Sequence, residues 1–200
     1  MRTRTKLAVA VSAASLTAVG LAGPTSASAS TTLDRTIAAQ AGRAGLDQRE
    51  VAALQKQIDR QMAFTPGGEQ IGVNQVAWRG GKTIMTFPLP GEKQARAVDE
   101  PVGTLGTANC SYTWTCLYEH DDYDGRRLTW QDCAFNNLAD YDFNDKASSW
   151  HNNQTQGTVT RVYNWTSSGG WSQIWSSTAP SRSSYVGNAD NDKADGIRVC

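Results

Sequence analysis

Residues 118–130, YEHDDYDGRRLTW, and residues 163–175, YNWTSSGGWSQIW, write one pattern twice at an offset of 45. Tyr118 matches Tyr163, Gly125 matches Gly170, and Trp130 matches Trp175. The blocks NDKASS (144–149) and NDKADG (191–196) follow at an offset of 47, so the second copy carries two extra residues. A period near 45 with two copies points to paired supersecondary units and not to a solenoid. Within each copy, short aromatic and β-branched runs alternate with Gly, Asn, Asp and Ser clusters, as in antiparallel sheets. Examples are SYTWTCLY (111–118), GTVTRVYNW (157–165) and DGIRVC (195–200). The expected fold class is therefore all-β, with two four-stranded Greek keys packed as one sandwich over 109–200.

The rest of the chain has a different character. Arg2, Arg4 and Lys6 precede an apolar run at 7–23, and small residues follow at 27–29. Residues 1–29 thus read as a secretory signal peptide, with a membrane anchor disfavoured by Pro24 and by polar interruptions in the run. Cleavage after Ala29 would leave a net charge of −3. That is a poor match to a nucleic-acid backbone, and no later segment is apolar enough to span a bilayer. The expectation is a secreted, extracellular protein without nucleic-acid or membrane partners. Cys110, Cys116, Cys133 and Cys200 all lie in the exported part, and an even count in an oxidising compartment argues for two disulfides.

Residues 109–200 hold 14 of the 17 aromatic residues and all four cysteines, whereas 30–108 are richer in Ala and Gln. Asp47 with Glu50 forms a capping pair, and Val51, Leu54, Ile58 and Met62 repeat at helical spacing until Pro66-Gly67-Gly68. Residues 74–89 read as two strands around the turn Arg79-Gly80-Gly81-Lys82. Residues 30–87 are thus a helix-plus-hairpin segment, and 88–108 a Pro/Gly/charged linker. One helix and one hairpin bury little apolar surface alone. The segment is a propeptide, an accessory unit packed on the larger domain, or a poorly ordered linker with a transient helix.

Tyr118, followed after four residues by Tyr123-Asp124-Gly125, matches the aromatic-x4-aromatic-x-Gly motif of βγ-crystallin Greek keys. Asn144-Asp145-Lys146-Ala147-Ser148-Ser149 matches that family's calcium motif, Asn/Asp-Asn/Asp-x-x-Ser/Thr-Ser. The chain resembles secreted actinobacterial proteins of this type, including the metalloproteinase-inhibitor family and killer-toxin-like proteins. The resemblance implies two Ca²⁺ sites shared between the paired motifs. Asn144, Lys146, Ser148 and Glu119 would serve from the first key, and Asn191, Lys193, Asp195 and Asn164 from the second. Side-chain oxygens of the Asn and hydroxyl positions would join backbone carbonyls of the others, a donor set that Ca²⁺ accepts. The second copy departs from the pattern: Ser168 replaces the second aromatic, Asp195 the hydroxyl, and Gly196 the final Ser. The competing reading is that NDKA persists as turn chemistry alone.

The same resemblance suggests pairing Cys110 with Cys116, the family's opening pair, and Cys133 with Cys200, although four cysteines permit three connectivities. It also suggests inhibition of a secreted peptidase. The inhibitor family's reactive loop is bounded by cysteines, and none lies between 134 and 199 here, so its reactive residues do not transfer. The expected inhibitory element is a projecting loop at 176–185 containing Pro180 and Arg182. The alternatives are a cell-wall or carbohydrate-binding module, with Trp165 and Trp171 as surface rings, or a purely structural calcium-stabilised domain. An EF-hand reading of HDDYDG (120–125) fails, because both terminal ligand positions would be non-acidic. His120 and His151 sit in no HExxH, and there is no G-x-S-x-G or phosphate loop, so no enzyme is expected.

Overall fold

The computed structural model describes residues 26–200 except Leu105, with side chains from Thr32 onward. The basic and apolar parts of the expected signal peptide lie outside the described residues. Two helices lead, α1 (Ser26–Ala44) and α2 (Gln48–Phe64). Asp47 caps α2 by accepting from the Arg49 and Glu50 amides, while the Glu50 side chain accepts from the Asp47 amide, closing the capping box. Leu54 and Ile58 are buried on one face, as their spacing requires. None of the described helices is long and apolar enough to cross a membrane.

Three short strands follow: β1 (Glu69–Gly72), β2 (Gln75–Trp78) and β3 (Thr83–Thr86). β2 and β3 form the expected hairpin, with Trp78 opposite Thr83. β1, largely solvent-facing and only four residues long, gave no alternating signal in the sequence. The first Greek key comprises β4 (Trp114–Tyr118), β5 (Arg127–Trp130), β6 (Phe135–Asn137) and β7 (Ser149–Asn153). The second comprises β8 (Val159–Thr166), β9 (Gly170–Thr178), β10 (Ser181–Ser183) and β11 (Gly196–Arg198).

The two sheets run β1-β2-β3-β5-β4-β7-β10 and β6-β11-β8-β9. Each key lends its third strand to the other key's sheet, β6 to one and β10 to the other. That exchange interlocks the two copies, so neither can fold as a separate hairpin stack. The four cysteines pair as Cys110–Cys116 and Cys133–Cys200, the second bridge tying the end of β11 to the turn before β6.

The amino-terminal unit shares this architecture. β3 pairs with β5 over four residues, from Thr83 opposite Trp130 to Thr86 opposite Arg127. Leu54, Ile58, Trp78 and Met85 lie in one core with Leu128, Trp130, Tyr141, Phe143 and Ile197. Fully burying each such side chain is worth roughly 1.5–3 kcal/mol. The helix and hairpin are marginal alone and well anchored here. Within the linker expected at 88–108, residues 89–100 lie as a strap against the sheet. Leu89 and Ala95 are buried, the Gly125 amide donates to the Lys93 carbonyl at 2.8 Å, and Glu100 pairs with Arg127 at 2.8 Å. The strap covers the otherwise costly guanidinium of Arg127, whose side chain is nearly buried.

Candidate functional site

The two NDKA blocks occupy equivalent places in the two keys. The Ser148 amide donates to the Tyr118 carbonyl at 3.0 Å, and its counterpart, the Asp195 amide, donates to the Tyr163 carbonyl at 2.8 Å. Asp145 and Asp192, the second residue of each block, both take left-handed backbone, with φ of 54° and 55°. Asp and Asn tolerate that region better than most residues, which accounts for part of the motif. Each leading asparagine turns its amide nitrogen sideways onto the following aspartate, Asn144 to Asp145 at 3.3 Å and Asn191 to Asp192 at 2.8 Å. The amide oxygen is thereby released from the turn.

The blocks do not close on themselves. A cleft of about 540 Å³ is lined by Glu119, Lys146 and Ser148 from the first key together with Asn191 and Asp192 from the second. A second cleft, of about 370 Å³, brings Asn144 of the first block to Asp195 of the second. Each asparagine has been passed to its partner's cleft. Asn164 and Lys193 line neither cleft; Lys193 instead turns its ammonium to the Ala189 carbonyl at 2.6 Å.

The first cleft has the donor chemistry of a hard-cation site. Asn191 Oδ1 is buried and without a hydrogen-bond partner, a state that costs free energy unless something else uses the oxygen. Ser148 Oγ lies 3.1 Å from the Glu119 carbonyl oxygen and 3.4 Å from Asp192 Oδ1. Oxygens sharing a Ca²⁺ at ~2.3–2.6 Å are spaced about this far apart. The Glu119 carboxylate is not free to join them. Burial pushes its pKa up, but hydrogen bonds and charge from Arg126 outweigh that and hold it below the usual carboxylate range. Only its carbonyl faces the cleft's chemistry. Among the described residues no group of three or more His, Cys, Asp or Glu is placed to hold a metal ion. A cation here would therefore rest on neutral oxygens with one or two carboxylates.

The second cleft differs in kind. Asp195 Oδ2 accepts from the Trp165 amide at 2.7 Å, and burial raises the carboxyl pKa despite that bond. Its walls are Trp165 and Trp171, which face each other directly across the β8–β9 hairpin. The 45-residue offset aligns them with His120 and Arg126, so the first key builds the same hairpin with polar side chains. Both tryptophans are exposed, 52% and 39%, whereas Trp130 is wholly buried and Trp175 partly so.

Two of the second copy's departures from the pattern, Ser168 and Gly196, form one repacking. In the first key Tyr118 and Tyr123 meet edge to face at 5.3 Å, and Ser149 Oγ donates to the His120 carbonyl at 2.6 Å. In the second key Ser168 and Gly196 remove both features. Phe135 instead packs on Trp171 at 4.9 Å, and a Cβ on Gly196 would stand 2.7 Å from Phe135 and 2.8 Å from Trp171. Gly196 is small because the aromatic pair needs the space. The signal was available in the alignment of Arg126 with Trp171, but Phe135 lies in the other key and no local pattern links it.

The segment 176–185 corrects the expectation of a projecting loop. Residues 176–178 continue β9, and Ser181, Arg182 and Ser183 pair with Asn152, His151 and Trp150 of β7. The reason is the strand exchange: the other sheet requires a third strand from this stretch. Ser177 and Ala179 are buried, and Pro180 and Arg182 remain exposed on the edge strand.

Residues 104–175 match the model of peptidase inhibitor family I36, a family of inhibitors and not of enzymes. No match is found among curated proteins. Among solved structures, a βγ-crystallin domain from Clostridium beijerinckii is similar at 24% identity, over 42% of this chain and 94% of that one, with a TM-score of 0.35. A βγ-crystallin domain from Flavobacterium johnsoniae is similar at 28% identity, over 44% of this chain and 93% of that one, with a TM-score of 0.33. The two disulfides and the inhibitor family fit an extracellular protein.

Proposed function

We propose that this chain, a member of the βγ-crystallin superfamily, is a secreted inhibitor of extracellular peptidases, metallopeptidases foremost, whose two clefts bind Ca²⁺. The observation that carries the inhibitor reading is the match of residues 104–175 to an inhibitor family. The fold offers a compatible element in β10. It is the edge of its sheet, already extended, and carries exposed Arg182, two residues after Pro180. An extended edge can add its main chain to a peptidase cleft as a substrate strand does, with little ordering entropy lost on association. Arg182 would supply the side-chain anchor.

Calcium has a structural role in this reading. Asn191, Ser148 and the carbonyls of Glu119 and Lys146 would hold one ion, and Asn144 and Asp195 the other. Each ion would neutralise local carboxylates and tie one key to the other. The test is steady-state inhibition of a panel of secreted metallo- and serine peptidases by the full chain in calcium. Inhibition of at least one is expected, weakened roughly tenfold or more by Arg182→Ala. Failure to inhibit any of them would end the proposal.

A further inference from the structure

The second cleft carries a feature that neither peptidase inhibition nor calcium binding uses. Trp165 and Trp171 are outside the proposed calcium ligands, yet the second key is rebuilt around them. Their ring centroids are 5.0 Å apart at an interplanar angle of 69°, and Trp171 is braced from behind by Phe135. Gly196 gives up its side chain to allow this. The hairpin that presents the rings is held at its tip, where the Gly169 amide donates to the Thr166 carbonyl at 3.0 Å and Thr166 Oγ1 donates to the Gly170 carbonyl at 3.1 Å. The first key folds the same hairpin without any exposed aromatic, so the fold itself does not require the pair.

We infer that this cleft binds a glycan, with a pyranose ring seated against Trp165 and Trp171 and its hydroxyls directed to Asn137 and to the groups that the proposed ion leaves free, the Asn144 amide nitrogen and the Asp195 oxygen held by the Trp165 amide. A sugar ring has one apolar C–H face and a rim of hydroxyls. The cleft has the complementary pair: two indole walls and, on the remaining sides, two carboxamides and a carboxylate. Its volume of about 370 Å³ lies in the range of small-ligand sites. Indoles supply rigid contact area at low entropic cost, and the amide and carboxylate groups pair with adjacent hydroxyls by donating or accepting. The Trp165 amide fixes the Asp195 carboxylate at 2.7 Å, so its orientation is set before a ligand arrives. A protein partner would also use tryptophan anchors, but a concave cleft with three polar side chains beside the rings suits a small polar ring better than a flat side-chain contact. This inference is independent of the inhibitor reading.

The experiment titrates the full chain, in calcium, with cellotetraose, chitotetraose and a soluble peptidoglycan glycan fragment, followed by intrinsic tryptophan fluorescence and calorimetry. Saturable binding of at least one is expected, with a blue-shifted emission. Trp165→Ala should weaken it roughly tenfold or more, and His120→Ala, at the equivalent position of the first key, should leave it unchanged. Trp171→Ala should act like Trp165→Ala, but it also strips a contact from Phe135. The exposed Trp165 position therefore keeps the test clean if Trp171→Ala fails to fold. No saturable binding up to about 10 mM of any of the three, an affinity too weak to matter, would overturn the inference. So would glycan binding that Trp165→Ala leaves intact. Peptidase capture lost in Trp165→Ala with no glycan binding would assign the face to a protein and overturn it as well.

Discussion

Arg126 Nη1 donates to Gln61 Oε1 at 2.9 Å, joining α2 to the first Greek key across 65 residues of sequence. The same guanidinium holds Glu119 at 2.8 Å, and Gln61 Nε2 in turn donates to the Tyr141 carbonyl at 2.8 Å. Both side chains are largely buried, so neither partner can fall back on water. Gln61→Ala should therefore destabilise the chain by about 1–3 kcal/mol, the usual cost of leaving a buried partner unsatisfied. Arg126→Met should cost more, of order 3–5 kcal/mol, because it strands the Glu119 carboxylate. Urea unfolding of the full chain measures both, and equal midpoints for wild type and the two variants would contradict the tie.

This contact also marks the limit of what the sequence disclosed. The repeat, the α2 cap and the β2–β3 hairpin were legible because each is a local pattern with a fixed period or turn. That α2 and β3 would close the sheet and core of the Greek keys was not, since nothing in Gln61 or Thr83 announces a partner so distant in sequence. The clefts were half legible. The block residues stood out, but the passing of Asn144 and Asn191 to opposite clefts depends on strand exchange between keys. The strand at Ser181–Ser183 was hidden for the same reason, since a run of Ser and Pro looks like a loop until the sheet demands a strand.

The Cys133–Cys200 bridge spans 67 residues of sequence and Cys110–Cys116 spans six. On chain-entropy grounds the first should contribute roughly 4 kcal/mol and the second roughly 2. Replacing each pair with alanines and comparing thermal midpoints checks the order. A larger loss from the shorter bridge would contradict it.

His151 gives the chain a pH dependence. Burial first, then the positive charge of Arg182, lowers its pKa to about 4 in the folded state. Its unfolded value is near 6.5, so between these values the unfolded chain binds a proton that the folded chain refuses. The stability this group contributes is complete above pH ~6.5 and is lost as pH falls through about 4. Glu119, held low by Arg126, adds a loss of the same sign further into acid. His151→Gln should flatten the midpoint between pH ~6.5 and ~4, and Arg182→Ala should raise the His151 pKa in an NMR titration. An unchanged His151 titration in Arg182→Ala would remove the charge from the account.

In the proposed arrangement each NDKA block is divided between two calcium clamps. Calcium titration by calorimetry, with Ser148→Ala, Asn191→Ala, Asn144→Ala and the paired combinations, tests it most directly. Saturating calcium at a hundredfold excess over Kd should stabilise the chain by ~2.7 kcal/mol for each site that binds only the folded form. Ser148→Ala and Asn191→Ala, in different blocks, should weaken the same site, while Asn144→Ala should weaken the other and compound the loss when joined to Ser148→Ala. Finding instead that Asn144 and Ser148 act on one site and Asn191 on another, or that the wild-type chain takes up no calcium, would contradict it.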